Sequence, residues 1–304
     1  MIDVESMNSL RPRAAAPAYA ARPRMARLRR SLKRALVFAI ASGKGGVGNT
    51  NVTANLATAL AHKAQRVLAI DADVGLANLD LLFGVKPVYT IADFFSGAAA
   101  LDEIVTTTAQ GVLLLPGTNG VQSLTALSGA QKLVLAGALD NLARRVDIVL
   151  VDTCSGISDA VTYFAAAAQE IVVVATPEAA SLTDAYALIK LLASDYGEKR
   201  FQVLANNVED EEQARRLFDT LSQAAVRFLN VSLDYFGWIP RDPRLLAAAA
   251  QSRLVVEEAK NAPSARSFDV LANRLIASAA TDGRVKGTLQ FLFRQAFESM
   301  EGAR

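Results

Sequence analysis

The chain has one cysteine and one histidine in 304 residues, Cys154 and His62. A lone cysteine excludes any disulfide within the chain and fits a reducing compartment. It also excludes an iron–sulfur cluster that bridges two subunits with two cysteines from each. A lone histidine removes histidine-based zinc sites and Ser-His-Asp triads. No run of about 18 apolar residues occurs, so no transmembrane helix is expected. The first 34 residues lack a compact apolar core followed by a cleavage site, and no signal peptide is expected. Net charge is small, +2, but unevenly spread. Residues 1–34 carry nine basic residues against Asp3 and Glu5, a balance of +7 that leaves −5 for the rest. This Ala-, Pro- and Arg-rich tail is expected to be disordered at least to about residue 24. It reads as a solvated tail, or as a contact for nucleic acid, an acidic partner or a membrane surface.

Apolar residues make up 52% of the chain, enough for one sizeable α/β domain. Continuous β-rich runs occur at Ala35–Ser42, Arg66–Asp71, Val112–Leu115, Asp147–Asp152, Ile171–Ala175, Phe201–Ala205 and Tyr235–Ile239. Strands apolar on both faces belong in a parallel sheet covered on both sides. The intervening helical stretches imply right-handed βαβ units. The expected fold is therefore α/β, a doubly wound, mostly parallel sheet with helices on both faces. One domain is expected over 35–280, after the tail 1–34 and before a C-terminal amphipathic helix over 281–304.

Polar residues follow the strand-like runs, where doubly wound sheets bind ligands. Residues Gly43, Lys44, Gly45, Gly46, Val47, Gly48, Asn49 and Thr50 stand between the first strand and the first helix. This matches the phosphate loop Gly-x-x-x-x-Gly-Lys-Ser/Thr, except that Asn49 takes the place of the lysine. Glycines let successive N–H groups point at phosphate oxygens, and the helix that follows adds its positive end. Thr50 is placed to bind Mg²⁺. Asp71, Asp73 and Asp152 stand after two other strands; a single such Asp is usually a cap or turn residue, but three beside one loop point to the site.

Lys44, directly after the first glycine, marks the deviant branch of such loops. The stretches ASGKGGVGNTNVTANLATALA and LAIDADVGLANLDLLFGV resemble the MinD/ParA family of P-loop ATPases. LLLPGTNG, DIVLVDTCSGISDAVTYFAAAAQEIVVVATPEAASLTDAYALIK and GWIPRDPRL resemble that family's flagellar-number regulators, FlhG or FleN. The resemblance covers about residues 36–260 and implies ATP and Mg²⁺ as cofactors. By it, Lys44 reaches the phosphates of a partner subunit in an ATP-bound homodimer. Asp71 and Asp73 work around Mg²⁺ and the attacking water, and Asp152 holds Mg²⁺ through water. Thr153–Gly156 senses the γ-phosphate, Asn206 reads adenine, Pro240 and Asp242 border the base, and Glu178 packs near the dimer interface. Asn206 would otherwise be a turn residue, with Asn207 as a rival in register. Cys154 reads as a small switch residue, and His62 as solvent-facing.

Asn49 is neutral and shorter than lysine, and a charge-assisted hydrogen bond is about twice as strong as a neutral one. Weaker ATP binding is expected, with hydrolysis impaired more than binding. Two readings follow: a slow ATPase whose dimerisation switches its location, or a degenerate member that binds partners without turnover. The resemblance implies partners among a flagellar SRP-type GTPase, switch proteins and a transcriptional activator. The Asp-Gln-Ala-x-x-Leu-Arg segment that activates the GTPase is not matched by MARLRRSL, which leaves that stimulation open. Leu289, Leu292, Phe293, Phe297 and Met300 lie at helical spacing near the end, as in a helix that lies in the membrane interface or docks on the body. DNA binding of the ParA kind stays open through the basic tail.

Overall fold

The computed structural model describes residues 35–73, 78–117 and 129–281. The expected N-terminal tail and the amphipathic helix beyond residue 281 lie outside the described residues. Among the described residues eight strands form one sheet: β1 Leu36–Ser42, β2 Val67–Asp71, β3 Thr106–Thr107, β4 Leu113–Leu115, β5 Ile148–Ser155, β6 Glu170–Ala175, β7 Arg200–Val208 and β8 Ser232–Pro240. Their order across the sheet is β3-β4-β2-β5-β1-β6-β7-β8. Every pairing is parallel except β3 with β4. The short antiparallel β3 was not expected, because two threonines carry no periodic pattern.

β1 lies at the middle, between β5 and β6. Its residues alternate between two cores: Val37, Ala39 and Ala41 face one, Phe38 and Ile40 the other. Both faces are therefore covered, and this explains why the strands read as unbroken apolar runs. Helix α1 (Asn49–His62) follows the phosphate loop; α2 (Leu79–Phe83), α3 (Ile91–Ser96) and α4 (Leu101–Ile104) follow β2. Next come α5 (Gly129–Ala143), α6 (Asp159–Ala167), α7 (Ala179–Asp195) and α8 (Glu211–Leu229). The last are α9 (Pro243–Ala250), α10 (Val255–Glu258) and α11 (Pro263–Thr281). Leu56 and Leu60 of α1 pack with Phe268 and Leu271 of α11 on the Phe38 face, and Leu188, Leu192 and Leu217 of α7 and α8 on the other.

β5 runs three residues past Asp152, to Ser155. Asp152 is thus inside the strand rather than its last residue, because the polar Thr153 to Ser155 hid the strand's end. Asp152 is directly opposite Asp71 in the β2–β5 register and Ile40 in the β1–β5 register. Parallel pairing brings these strand ends to the same edge as the loop after β1.

Candidate nucleotide site

The loop after β1 turns against two other elements. A Cβ on Gly43 would lie 1.9 Å from the carbonyl oxygen of Asp184, so α7 packs its backbone onto the loop there and only glycine fits. On the other side, the Asn206 amide donates from Nδ2 to the Val47 carbonyl at 2.7 Å. Its Oδ1 accepts from the backbone N–H of Asn207 at 2.9 Å. Asn206, not its neighbour, therefore reaches the phosphate loop from β7.

Two cavities meet at this loop. One of about 550 Å³ is lined by Ser42, Gly45–Asn51, Asp73, Asn78 and Thr153–Ser155, among others. The second, about 200 Å³, is lined by Lys44, Thr176, Glu178, Asn206, Asn207, Pro240 and Asp242, among others. Both include Gly46, Val47, Gly48 and Asn51. A ligand with a phosphate end and a flat end would lie across the loop as over a saddle. Among the described residues, three buried oxygens without a hydrogen-bond partner belong to residues that line these cavities: Asn49 Oδ1, Asn51 Oδ1 and Thr176 Oγ1. Buried polar atoms are normally satisfied, so such a concentration marks a place completed by ligand or water.

The three aspartates do different things. Asp71 accepts from the backbone N–H groups of Asp73, Asn78 and Leu79, each at 3.1 Å. Its carboxylate thereby holds the chain that carries Asp73. Burial pushes it up to about 6, against the pull of those three bonds. Asp152 is buried, and burial followed by the charge of Asp71 lifts it well above the ordinary range. The hydroxyls of Thr50 and Thr53 oppose that rise, Thr53 from 3.3 Å. Asp73 lines the larger cavity.

Asn49 donates from Nδ2 to the Thr153 carbonyl at 3.4 Å, a long bond. Lys44 is ion-paired with Glu178 of its own chain. Asp242 lines the smaller cavity, but its oxygens serve the fold. Oδ1 caps α9 through the Arg244 N–H at 2.9 Å, and Oδ2 takes the Ser264 N–H at 3.1 Å and hydroxyl at 2.7 Å. Burial would raise this carboxyl, but the Ser264 and Arg244 bonds hold it below its ordinary value. Pro240 closes β8 beside it. His62 is half-exposed and 2.7 Å from Glu257, so it is a contact between α1 and α10 as well as a surface residue. Cys154 lines the larger cavity, and burial raises its thiol.

Among the described residues no three His, Cys, Asp or Glu side chains gather to hold a metal. The donors at the loop fit Mg²⁺, which keeps several waters and binds through one or two carboxylates plus phosphate. Thr50 would supply its hydroxyl, with Asp152 and Asp73 holding water. Asn51 and Thr53 were missed as site residues. Thr53 follows Asn49 by one helical turn, a spacing that places both on the face toward β5.

A ParA family model, described as NUBPL iron-transfer P-loop NTPase, matches residues 33–276. Antiactivator FleN of Pseudomonas aeruginosa is 41% identical over 255 residues, 84% of this chain and 91% of that protein. Flagellum site-determining protein YlxH of Helicobacter pylori is 34% identical over 245 residues, 80% of this chain and 83% of that protein. The MinC:MinD cell division complex of Aquifex aeolicus aligns with a TM-score of 0.66 at 28% identity, covering 83% of this chain and 98% of that one. The septum site-determining protein MinD of Pyrococcus horikoshii, complexed with Mg-ADP, aligns with a TM-score of 0.66 at 25% identity, covering 82% and 100%.

Proposed function

This chain belongs to the ParA/MinD family of P-loop NTPases, and on that premise we propose that it is an ATP-binding regulator of flagellar number or placement that hydrolyses ATP slowly. The observation that carries the reading is the pair of cavities joined over Gly46–Gly48, with acceptors around it that have no partner among the described residues. The names of the FleN and YlxH relatives point the regulation toward the flagellum.

Each residue has a task in this reading. Backbone N–H groups of the loop and the first turn of α1 hold the phosphates. Thr50 meets the cation, which when bound neutralises charge on the phosphates. Asp152 orients Thr50, and Asp73, held in place by Asp71, positions the attacking water. Lys44 must leave Glu178 to reach a partner subunit, so ATP-driven homodimerisation would exchange an ion pair for a phosphate contact. Residues 281–304 would then bring the dimer to the membrane. A flagellar GTPase, switch proteins or a transcriptional activator would be the listeners.

Nucleotide retained through purification, identified by chromatography, tests the binding claim. Phosphate release by wild type, Asp73→Ala and Asn49→Lys tests turnover. Wild-type release no greater than that of Asp73→Ala would remove the enzyme and favour the second reading, a partner-binding protein without turnover. Asn49 motivates that alternative, because its amide is already engaged with Thr153. Sedimentation with ADP and ATP tests the dimer. Liposome flotation after truncation at Thr288 tests the anchor, and unchanged binding would sink it.

A further inference from the structure

The outer edge of the sheet carries a second feature, away from the phosphate loop. Among the described residues β8 is the last strand in the order, and its register with β7 slips between Val203↔Tyr235 and Leu204↔Gly237. Phe236 is therefore an extra residue, a bulge, and its carbonyl accepts from the Arg274 guanidinium of α11. Gly237, at φ 146°, is what admits that guanidinium: a Cβ there would lie 2.7 Å from Leu271 Cδ2 and 3.0 Å from Arg274 Nη1.

Between β8 and α11 is a groove of about 200 Å³, lined among others by Trp238, Arg266, Ser267, Val270 and Arg274. Among the described residues no carboxylate lines it. Among the described residues neither Arg266 nor Arg274 has an acidic partner, although most other arginines do. The neighbouring acids are engaged elsewhere: Asp234 of β8 with Arg200, and Asp269 of α11 with Lys63. Val270, between the two arginines, is 51% exposed.

The spacing selects the occupant. Arg266, Val270 and Arg274 are four residues apart on one helical face, so the arginines are separated by about 12 Å along the axis. In an extended chain, residues four apart are separated by about 13 Å and point to the same side, with the residue midway between them also on that side. We propose that this groove receives an extended acidic segment of a partner protein. Two carboxylates four residues apart sit on Arg266 and Arg274, and an apolar side chain midway covers Val270. Guanidinium forks pair well with carboxylates.

The test uses the full chain and fluorescein-labelled peptides of serine and threonine carrying two glutamates four residues apart with a valine midway. Anisotropy at low salt reads binding, and Trp238, the only tryptophan, gives a second signal. Binding is expected, with affinity falling about tenfold for Arg266→Gln and for a peptide whose glutamates are three apart. Arg266 is exposed and makes no internal ion pair, so this variant folds even if Arg274→Gln does not. The proposal is overturned by no binding, by equal affinity for the misspaced peptide, or by an unchanged Arg266→Gln. Displacement by inorganic phosphate at the peptide's own concentration would make it a simple anion site. Tighter, Arg266-dependent binding of single-stranded DNA would make the partner a nucleic acid.

Discussion

The Asn49 side-chain amide donates to the backbone carbonyl of Thr153, and this ties the first turn of α1 to the end of β5. A residue whose place in the loop is to meet phosphate is instead part of the scaffold. Its contact is long, 3.4 Å, and its Oδ1 has no partner among the described residues. Replacing it with lysine therefore removes little. Asn49→Lys is expected to raise ATP affinity about tenfold to a hundredfold by restoring a charge-assisted bond. Titration with a fluorescent ATP analogue measures this. Unchanged affinity would mean that the missing charge does not limit binding.

Asn206 joins β7 to the phosphate loop through Val47. Asn206→Ala leaves the Val47 carbonyl and the Asn207 N–H without that partner. A loss of about 1–3 kcal/mol in urea unfolding is expected, together with weaker nucleotide binding. Stability equal to wild type would show that water replaces the amide.

Two glycine-to-alanine changes should have opposite signs. At Gly43 the new methyl meets the Asp184 backbone oxygen at 1.9 Å, and backbone on both sides has no room to yield. About 3 kcal/mol or more of destabilisation is expected. At Gly137, inside α5, nothing lies within 4 Å of the new methyl. There the gain in helix propensity stabilises by about 1 kcal/mol. Thermal unfolding of the two variants side by side checks both.

Buried acids make stability fall as pH rises. Asp71 keeps its proton in the folded chain up to about 6, whereas its ordinary value is 3.8. Between these values the native state binds more protons than the unfolded one, so stability declines through that window and levels off above it. From pH 5 to 7 this one group contributes a loss of about 1 kcal/mol, and Asp152 adds to it with the same sign. Urea midpoints across this range should fall for wild type and fall less for Asp71→Asn. An identical fall in the variant would assign the effect to other groups.

The fold was legible wherever burial on both faces made a strand continuously apolar, as in β1, β2 and β6. It was not legible at β3, which has two residues, nor at the polar end of β5. The phosphate loop was legible because its chemistry is local: glycines, a threonine and a helix start within eight positions. What the sequence did not show is that the oxygens of Asp71 and Asp242 also accept from backbone N–H groups and from Ser264, partners set by the fold.

The sequence by itself determined the sheet, the loop and the family, since these follow from patterns of neighbouring residues. Only the tertiary structure decided which partners the polar groups take. Asn206 meets Val47, Lys44 meets Glu178 and Asn49 meets Thr153 across separations of 159, 134 and 104 residues. Such pairs are created by strand order and register, which bring distant strand ends to one edge. No local pattern encodes which donor will then find which acceptor.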